Sequence, residues 1–260
     1  MGIHFLISQI VGGIGIVILT RWMGMPSDAY YKYAILMTGI TGILSIIPAW
    51  FLYRRDYALR TAGGVISPEA GKKLKGSEIL LLLITGAGLA QYGNVLVGFF
   101  QMFLKSTEYQ ETMELISGGK GFFELVIWMG IVAPVAEELI FRWLIYLRLR
   151  DYMRMAGAAA ISGLIFGIYH GNLLQAVYAS LLGIVFACIL EKSGNIWSCI
   201  LLHMGANVWS LIISQFGLEI VESKAGTILL FAADMLLLIV MIAGLYYFLN
   251  KGNERKKRVI

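Results

Sequence analysis

Charge is what this sequence has least of. Asp, Glu, Lys and Arg make up 14% of its 260 residues, against roughly 25% in soluble domains, which excludes an ordinary soluble fold. Cysteine is scarce too. The two present, Cys188 and Cys199, sit in or beside apolar runs, so neither a disulfide framework nor a thiol nucleophile is expected and both are read as core residues. Histidine occurs three times and never as His-Glu-x-x-His, so the commonest zinc-protease signature is missing. No glycine-rich phosphate loop, internal repeat or low-complexity stretch is present. The lack of an inverted repeat and of paired broken segments weighs against a transporter.

Hydrophobic length is what the chain has in abundance. Apolar residues reach 58% and mean hydropathy is +0.76, the composition of a polytopic membrane protein. The runs fall at 3–20, 33–53, 78–104, 121–141, 156–170, 174–190, 196–216 and 226–249. They predict an all-α membrane bundle of about eight transmembrane helices. No basic segment precedes the first run and no small-residue cleavage site follows it, so it is read as a retained helix, with His4 incidental at its start. Gln91 and Asn94 are expected to bond a neighbouring helix.

The basic residues mark the loops. Arg54, Arg55, Arg60, Lys72, Lys73 and Lys75 outweigh Asp56 and Glu69 after the second run, which predicts a cytoplasmic loop. Lys105, Glu108, Glu111, Glu114 and Lys120 show no basic excess and fit the outside. Arg142, Arg148, Arg150 and Arg154 return the chain to the cytoplasm, and the tail, with Lys251, Arg255, Lys256, Lys257 and Arg258, should lie there too. Anionic lipid headgroups are the expected partner of these basic stretches, rather than nucleic acid. Both termini are then cytoplasmic. The segment 143–155 is read as an amphipathic helix along the inner interface, its arginines reaching headgroups; the alternative is a continuation of the fourth helix.

Within this apolar chain a few polar groups stand out, because a charge in hydrocarbon costs roughly 2.5–3.5 kcal/mol on insertion scales. In Ala133-Pro134-Val135-Ala136-Glu137-Glu138-Leu139-Ile140-Phe141-Arg142, Glu138 and Arg142 are i,i+4 and can pair, while Glu137 points about 100° away. Glu138 is then a neutralised structural carboxylate and Glu137 a free general base; otherwise all three form one ion-pair cluster. Pro134 removes a backbone donor just before Glu137, which could free a carbonyl. Downstream lie Phe166-Gly167-Ile168-Tyr169-His170 and His203-Met204-Gly205-Ala206-Asn207. Ala159, Gly163 and Gly167 form a ridge leading to His170, its partner helix unreadable. Asp234, in the last run, is open between a packing or ion-pair role and a substrate contact. One mismatch stands: Glu137 lies near the inner end of its run, whereas His170 is about 14 residues, or roughly 21 Å, from the inner start of its own. The fifth segment begins deeper, or it tilts, or the fourth extends inside the protein beyond Arg142.

Glu-Glu-x-x-x-Arg, Phe-x-x-x-His and His-x-x-x-Asn, in that order on successive apolar segments, resemble the CAAX-protease and bacteriocin-processing (Abi) family of intramembrane endopeptidases. The resemblance covers about 122–210, with Asn207 where some members carry Asp. It implies a single membrane domain over 1–260 with a catalytic core at 122–210. In it Glu137 and His170 activate a water, His203 and Asn207 form the oxyanion site, and Glu138, Arg142 and Phe166 support them. It further implies an endopeptidase acting on a membrane-associated peptide or protein, in a bacterial plasma membrane. The alternatives are a non-catalytic helper, such as a bacteriocin immunity protein, and a transporter. No cofactor is favoured. Were zinc bound, Glu137, His170 and His203 would be its ligands, leaving the paired Glu138 as the nearest base. Oligomeric state is not legible.

Overall fold

Helix propensity and hydrophobicity run together through most of the chain, and the backbone has nowhere to satisfy its polar groups in lipid except within helices. The computed structural model describes residues 2–26, 29–65, 73–104, 114 and 118–257. Glu69, Lys72, Lys105, Glu108, Glu111 and Arg258 of the loops and tail lie outside the described residues. The described residues form eight helices: α1 (Gly2–Trp22), α2 (Ala29–Ala62), α3 (Gly76–Leu104), α4 (122–152), α5 (Met155–Tyr169), α6 (Leu173–Ser193), α7 (Ile196–Val221) and α8 (Lys224–Lys257). Six of them, all but α4 and α5, are long and apolar enough to cross a membrane unbroken. The chain is thus a helical membrane bundle. In its most apolar stretch α7 is 50% buried against protein, whereas α8 is 11% and α1 17% buried. So α7 is central, while α1 and α8 turn most of their surface outward.

Small residues allow the closest approaches. A Cβ on Gly205 of α7 would stand 2.0 Å from the Leu83 carbonyl oxygen of α3, and one on Gly86 of α3 would stand 1.9 Å from that of Leu202. The two backbones are therefore in direct contact. The ridge on α5 meets α6: a Cβ on Gly167 would fall 2.3 Å from the Ala176 carbonyl oxygen. Asn172 and Asn195 cap the starts of α6 and α7 by accepting from the backbone N–H of Gln175 and Trp197. Gln91 accepts from Trp209 Nε1 at 2.7 Å, the helix-to-helix bond expected of it. Asp234 takes no part in an ion pair among the described residues: its backbone carbonyl accepts from Tyr92, and its Oδ1 is buried without a hydrogen bond.

α4 departs from regular geometry. It alternates α-helical turns (Phe122–Leu125, Ala133–Glu137, Leu147–Tyr152) with π-helical stretches (Val126–Val132, Glu138–Tyr146). The stretch that starts at 143 continues the fourth helix as far as Tyr152, the alternative reading. It carries α4 onward into the protein, where Trp143 and Tyr146 are buried. Arg148 pairs with Asp56, and Arg150 with Glu191, so these two arginines are held by protein carboxylates. This resolves the mismatch in depth. The fourth helix extends inside the protein past Arg142, and α5 returns antiparallel beside it, with Ser162 Oγ donating to the Phe141 carbonyl at 3.0 Å.

One carboxylate organises the end of the bundle where α2 and α4 finish. Buried Asp56 accepts from Arg60 Nε at 2.8 Å and from Trp143 Nε1 at 3.0 Å, and pairs with Arg148 at 2.7 Å. Arg60 also binds Asp151 through its two terminal guanidinium nitrogens, and this bond holds the Asp151 carboxyl below its usual range. Asp151 therefore contributes stability above the unfolded carboxyl value of about 4, and the contribution fades as pH falls through the lower folded value. Thermal unfolding in detergent should show Asp56→Ala losing about 3 kcal/mol, because three donors lose a buried acceptor. Asp151→Asn should lose about 1 kcal/mol or less.

Candidate functional site

Glu138 sits where α4 meets α7, with no exposed surface. Its Oε2 lies 3.1 Å from Arg142 Nε, and its Oε1 accepts from His203 Nδ1 at 2.8 Å. The i,i+4 pair that the spacing predicts is present. The Arg142 guanidinium is fully buried and lies over the Phe166 ring at 4.3 Å and the Phe186 ring at 5.3 Å. Aromatic faces from α5 and α6 thus surround a cation that water does not reach.

Glu137 turns the other way. Its Oε2 lies 3.7 Å from His203 Nε2, and its side chain keeps 18% exposure. It borders a cavity of about 150 Å³ lined by α1, α2, α4 and the end of α5. Because Glu138 takes the proton-bearing Nδ1 of His203, the ring is oriented so that Nε2 faces Glu137. The two adjacent glutamates therefore share one imidazole from opposite sides, one carboxylate sealed and the other open.

Asn207 is one turn beyond His203. Its Nδ2 donates to the Met129 carbonyl at 2.8 Å, and the helix break explains that partner. In the π-helical register Ala133 N–H bonds the Trp128 carbonyl, so the next residue would bond Met129; that residue is Pro134, which has no N–H. Asn207 supplies the missing donor, leaving its second amide hydrogen uncommitted. The freed carbonyl expected from Pro134 is that of Met129.

His170 stands at the C-terminus of α5. Its backbone N–H bonds Gly167, which leaves the Phe166 carbonyl free, and the ring Nδ1–H donates to that carbonyl at 2.8 Å. Nε2 is left as an acceptor. Phe166 joins the groups together, its ring edge-on to both His170 (centroids 4.8 Å apart) and His203 (5.7 Å). Glu137, Glu138, Arg142, His203 and Asn207 are thus gathered directly and His170 through Phe166; no hydrogen bond or ion pair joins Glu137 to His170. Among the described residues no three His, Cys, Asp or Glu side chains converge to hold a metal ion. Glu137, His170 and His203 are accordingly not gathered as one ligand set among the described residues.

Two cavity residues escaped the sequence reading. His4 and Tyr169 face Glu137's cavity, hydrogen-bonded to each other. The signal for His4 was available: His4, Ser8 and Gly12 recur every four residues as a small or polar stripe on one face of an otherwise apolar helix. Removing the Glu138 carboxylate leaves a buried guanidinium unpaired. Glu138→Ala is expected to destabilise by about 3–5 kcal/mol and to reduce the yield of folded protein in size-exclusion chromatography, whereas Glu137→Gln should leave that yield unchanged.

Residues 120–209 match the family described as type II CAAX prenyl endopeptidase Rce1-like. A Bacillus subtilis protein named "Putative membrane peptidase YdiL" is 24% identical over 183 residues, covering 70% of this chain and 72% of its own length. No solved structure matches the chain. Glu137, Glu138, Arg142, Phe166, His170, His203 and Asn207 all fall within the matched stretch, while His4 lies outside it. Both findings support an intramembrane protease, an integral membrane protein similar over residues 120–209 to the Rce1-like type II CAAX prenyl endopeptidases.

Proposed function

We propose that the protein hydrolyses a peptide bond of a membrane-associated peptide or protein with a water activated by Glu137. The observation that carries this reading is the division between the glutamates: Glu138 is fully buried, ion-paired with Arg142 and hydrogen-bonded to His203 through Oε1, while Glu137 meets an imidazole and a cavity. Water held between Glu137 and His170 loses a proton to Glu137 as its oxygen bonds the peptide carbon. The carbonyl electrons move to oxygen, where the second amide hydrogen of Asn207 donates together with the Nε2–H of His203 in its doubly protonated form, its Nδ1–H being held by Glu138. When the C–N bond breaks, the proton on Glu137 passes to the leaving nitrogen. No metal is needed. Were Glu137 a ligand instead, the remaining carboxylate would be Glu138, already taken by Arg142 and His203.

Residues 122–210 are the catalytic core of one membrane domain spanning 1–260, set in a bacterial plasma membrane with both termini cytoplasmic. The basic loops face anionic headgroups, and nucleic acid is not a partner. The substrate class follows the resemblance: a prenylated Cys-aliphatic-aliphatic-X end, or a small membrane-bound precursor such as a bacteriocin.

Glu137→Gln should abolish cleavage in folded protein; peptides accumulating in membranes of the variant, compared by mass spectrometry with wild type, would report the substrates, and unchanged turnover would reject the base. Elemental analysis of active protein should find no stoichiometric zinc, and one zinc per chain would overturn the metal-free route. A reporter fused to the C-terminus should be active on the cytoplasmic side; activity confined to the outside would reverse the topology.

A further inference from the structure

The cavity beside Glu137 has a polar wall that the proposed chemistry leaves unused. His4, Ser8 and Gly12 of α1 and Thr38, Thr41 and Gly42 of α2 face it, and Tyr169 closes one end. At about 150 Å³ it has room for a few waters, each occupying roughly 30 Å³, or for one substrate residue and a water. Tyr169 reaches it because α5 ends there. His170 turns to the Phe166 carbonyl while the preceding side chain goes to the cavity, its ring held against Phe141 with centroids 5.2 Å apart.

Tyr169 is not held alone. Its hydroxyl bonds His4 Nε2, and His4 Nδ1 bonds Ser45 Oγ at 2.7 Å. Ser45 is buried, so the chain Ser45–His4–Tyr169 runs from the interior of α2, through α1, to the cavity. A neutral imidazole has one N–H, so the chain has two directions. If Nδ1 bears the proton, Tyr169 must donate to His4 and has nothing to offer a substrate. If Nε2 bears it, Ser45 donates to Nδ1, His4 donates to the tyrosine oxygen, and the Tyr169 hydrogen is free for the cavity. Only the second arrangement aims a donor into the space that Glu137 borders.

Building on the protease reading above, we propose that Tyr169 is a further catalytic residue, donating a hydrogen bond to the oxygen of the scissile carbonyl as charge develops there. His4 is then a positioning residue that fixes the direction of that donation. No proton leaves Tyr169: the O–H bond stays intact, and the carbonyl oxygen gains a donor beside those of His203 and Asn207. α1, otherwise turned to lipid, thereby takes part in the reaction.

The test uses full-length protein in detergent with two internally quenched peptides, one ending in a farnesylated Cys-aliphatic-aliphatic-X and the same peptide unprenylated. Tyr169→Phe removes one oxygen and should lower kcat about 10²-fold, the range for loss of one oxyanion donor, with KM within about twofold since the bond forms in the transition state. His4→Ala should lower kcat about tenfold, a smaller loss because it acts through Tyr169, and the double variant should be no slower than Tyr169→Phe alone. A tether holding α1 to the bundle would instead change the thermal midpoint and leave kcat in place. Independently of turnover, ¹⁵N NMR of labelled histidines, with His4 assigned from the His4→Ala spectrum, should show the Nε2–H tautomer; Nδ1–H would overturn the proposal. If His4→Ala fails to fold, His4→Gln supplies the assignment, and Tyr169→Phe with the wild-type NMR spectrum decides. Full kcat in Tyr169→Phe alongside an inactive Glu137→Gln would remove this inference and leave the protease reading intact. Full kcat in Glu137→Gln, or a wild type that cleaves neither peptide, would remove both.

Discussion

A single buried carboxylate holds the site together. Glu138 meets Arg142 from its own helix and His203 from α7, so the charge that would be most expensive to leave alone in an apolar interior is also what docks α4 on the central helix. The dependence is mutual. Without Glu138 the guanidinium of Arg142 would have only the rings of Phe166 and Phe186 around it, and His203 would lose the bond that sets its ring orientation. Because Nδ1 is taken, Nε2 is turned to Glu137. Neutralising one glutamate is thus the same act as orienting the partner of the other.

The second constraint is backbone hydrogen bonding inside an apolar bundle. Pro134 deprives the Met129 carbonyl of a partner, and an orphan acceptor at that depth has no water to turn to. Asn207 supplies the bond from α7. A side chain four residues beyond His203 therefore fixes the helix break that precedes Glu137, and α4 and α7 are locked by two contacts of different origin, one ionic and one to the backbone. The π-helical turns around this point shift the register of α4, so both glutamates and Arg142 face inward on a helix that continues into the protein.

Much of this was legible beforehand. The apolar runs gave the helices because hydrophobic length is a local property, and the i,i+4 pairing of Glu138 with Arg142 followed from helix geometry alone. The depth of the site was not legible. Trp143 to Met155 looked amphipathic because its arginines alternate with apolar residues; the partners of Arg148 and Arg150, Asp56 and Glu191, come from α2 and α6. A basic stripe bound by protein carboxylates has the same sequence pattern as one bound by lipid.

By itself, then, the sequence determined that this chain is a helical membrane protein, that a few ionisable groups sit where they are costly, and which of them are neighbours on one helix. Each of these depends on residues within a turn or two of one another. Only the tertiary structure decided that Glu137 opens on a cavity, that His203 stands between two carboxylates, and that His4 meets Tyr169 across 165 residues of sequence. Contacts of that kind depend on how helix faces pack, and a face carrying one histidine among apolar residues reads alike whether it meets lipid or a reactive cavity.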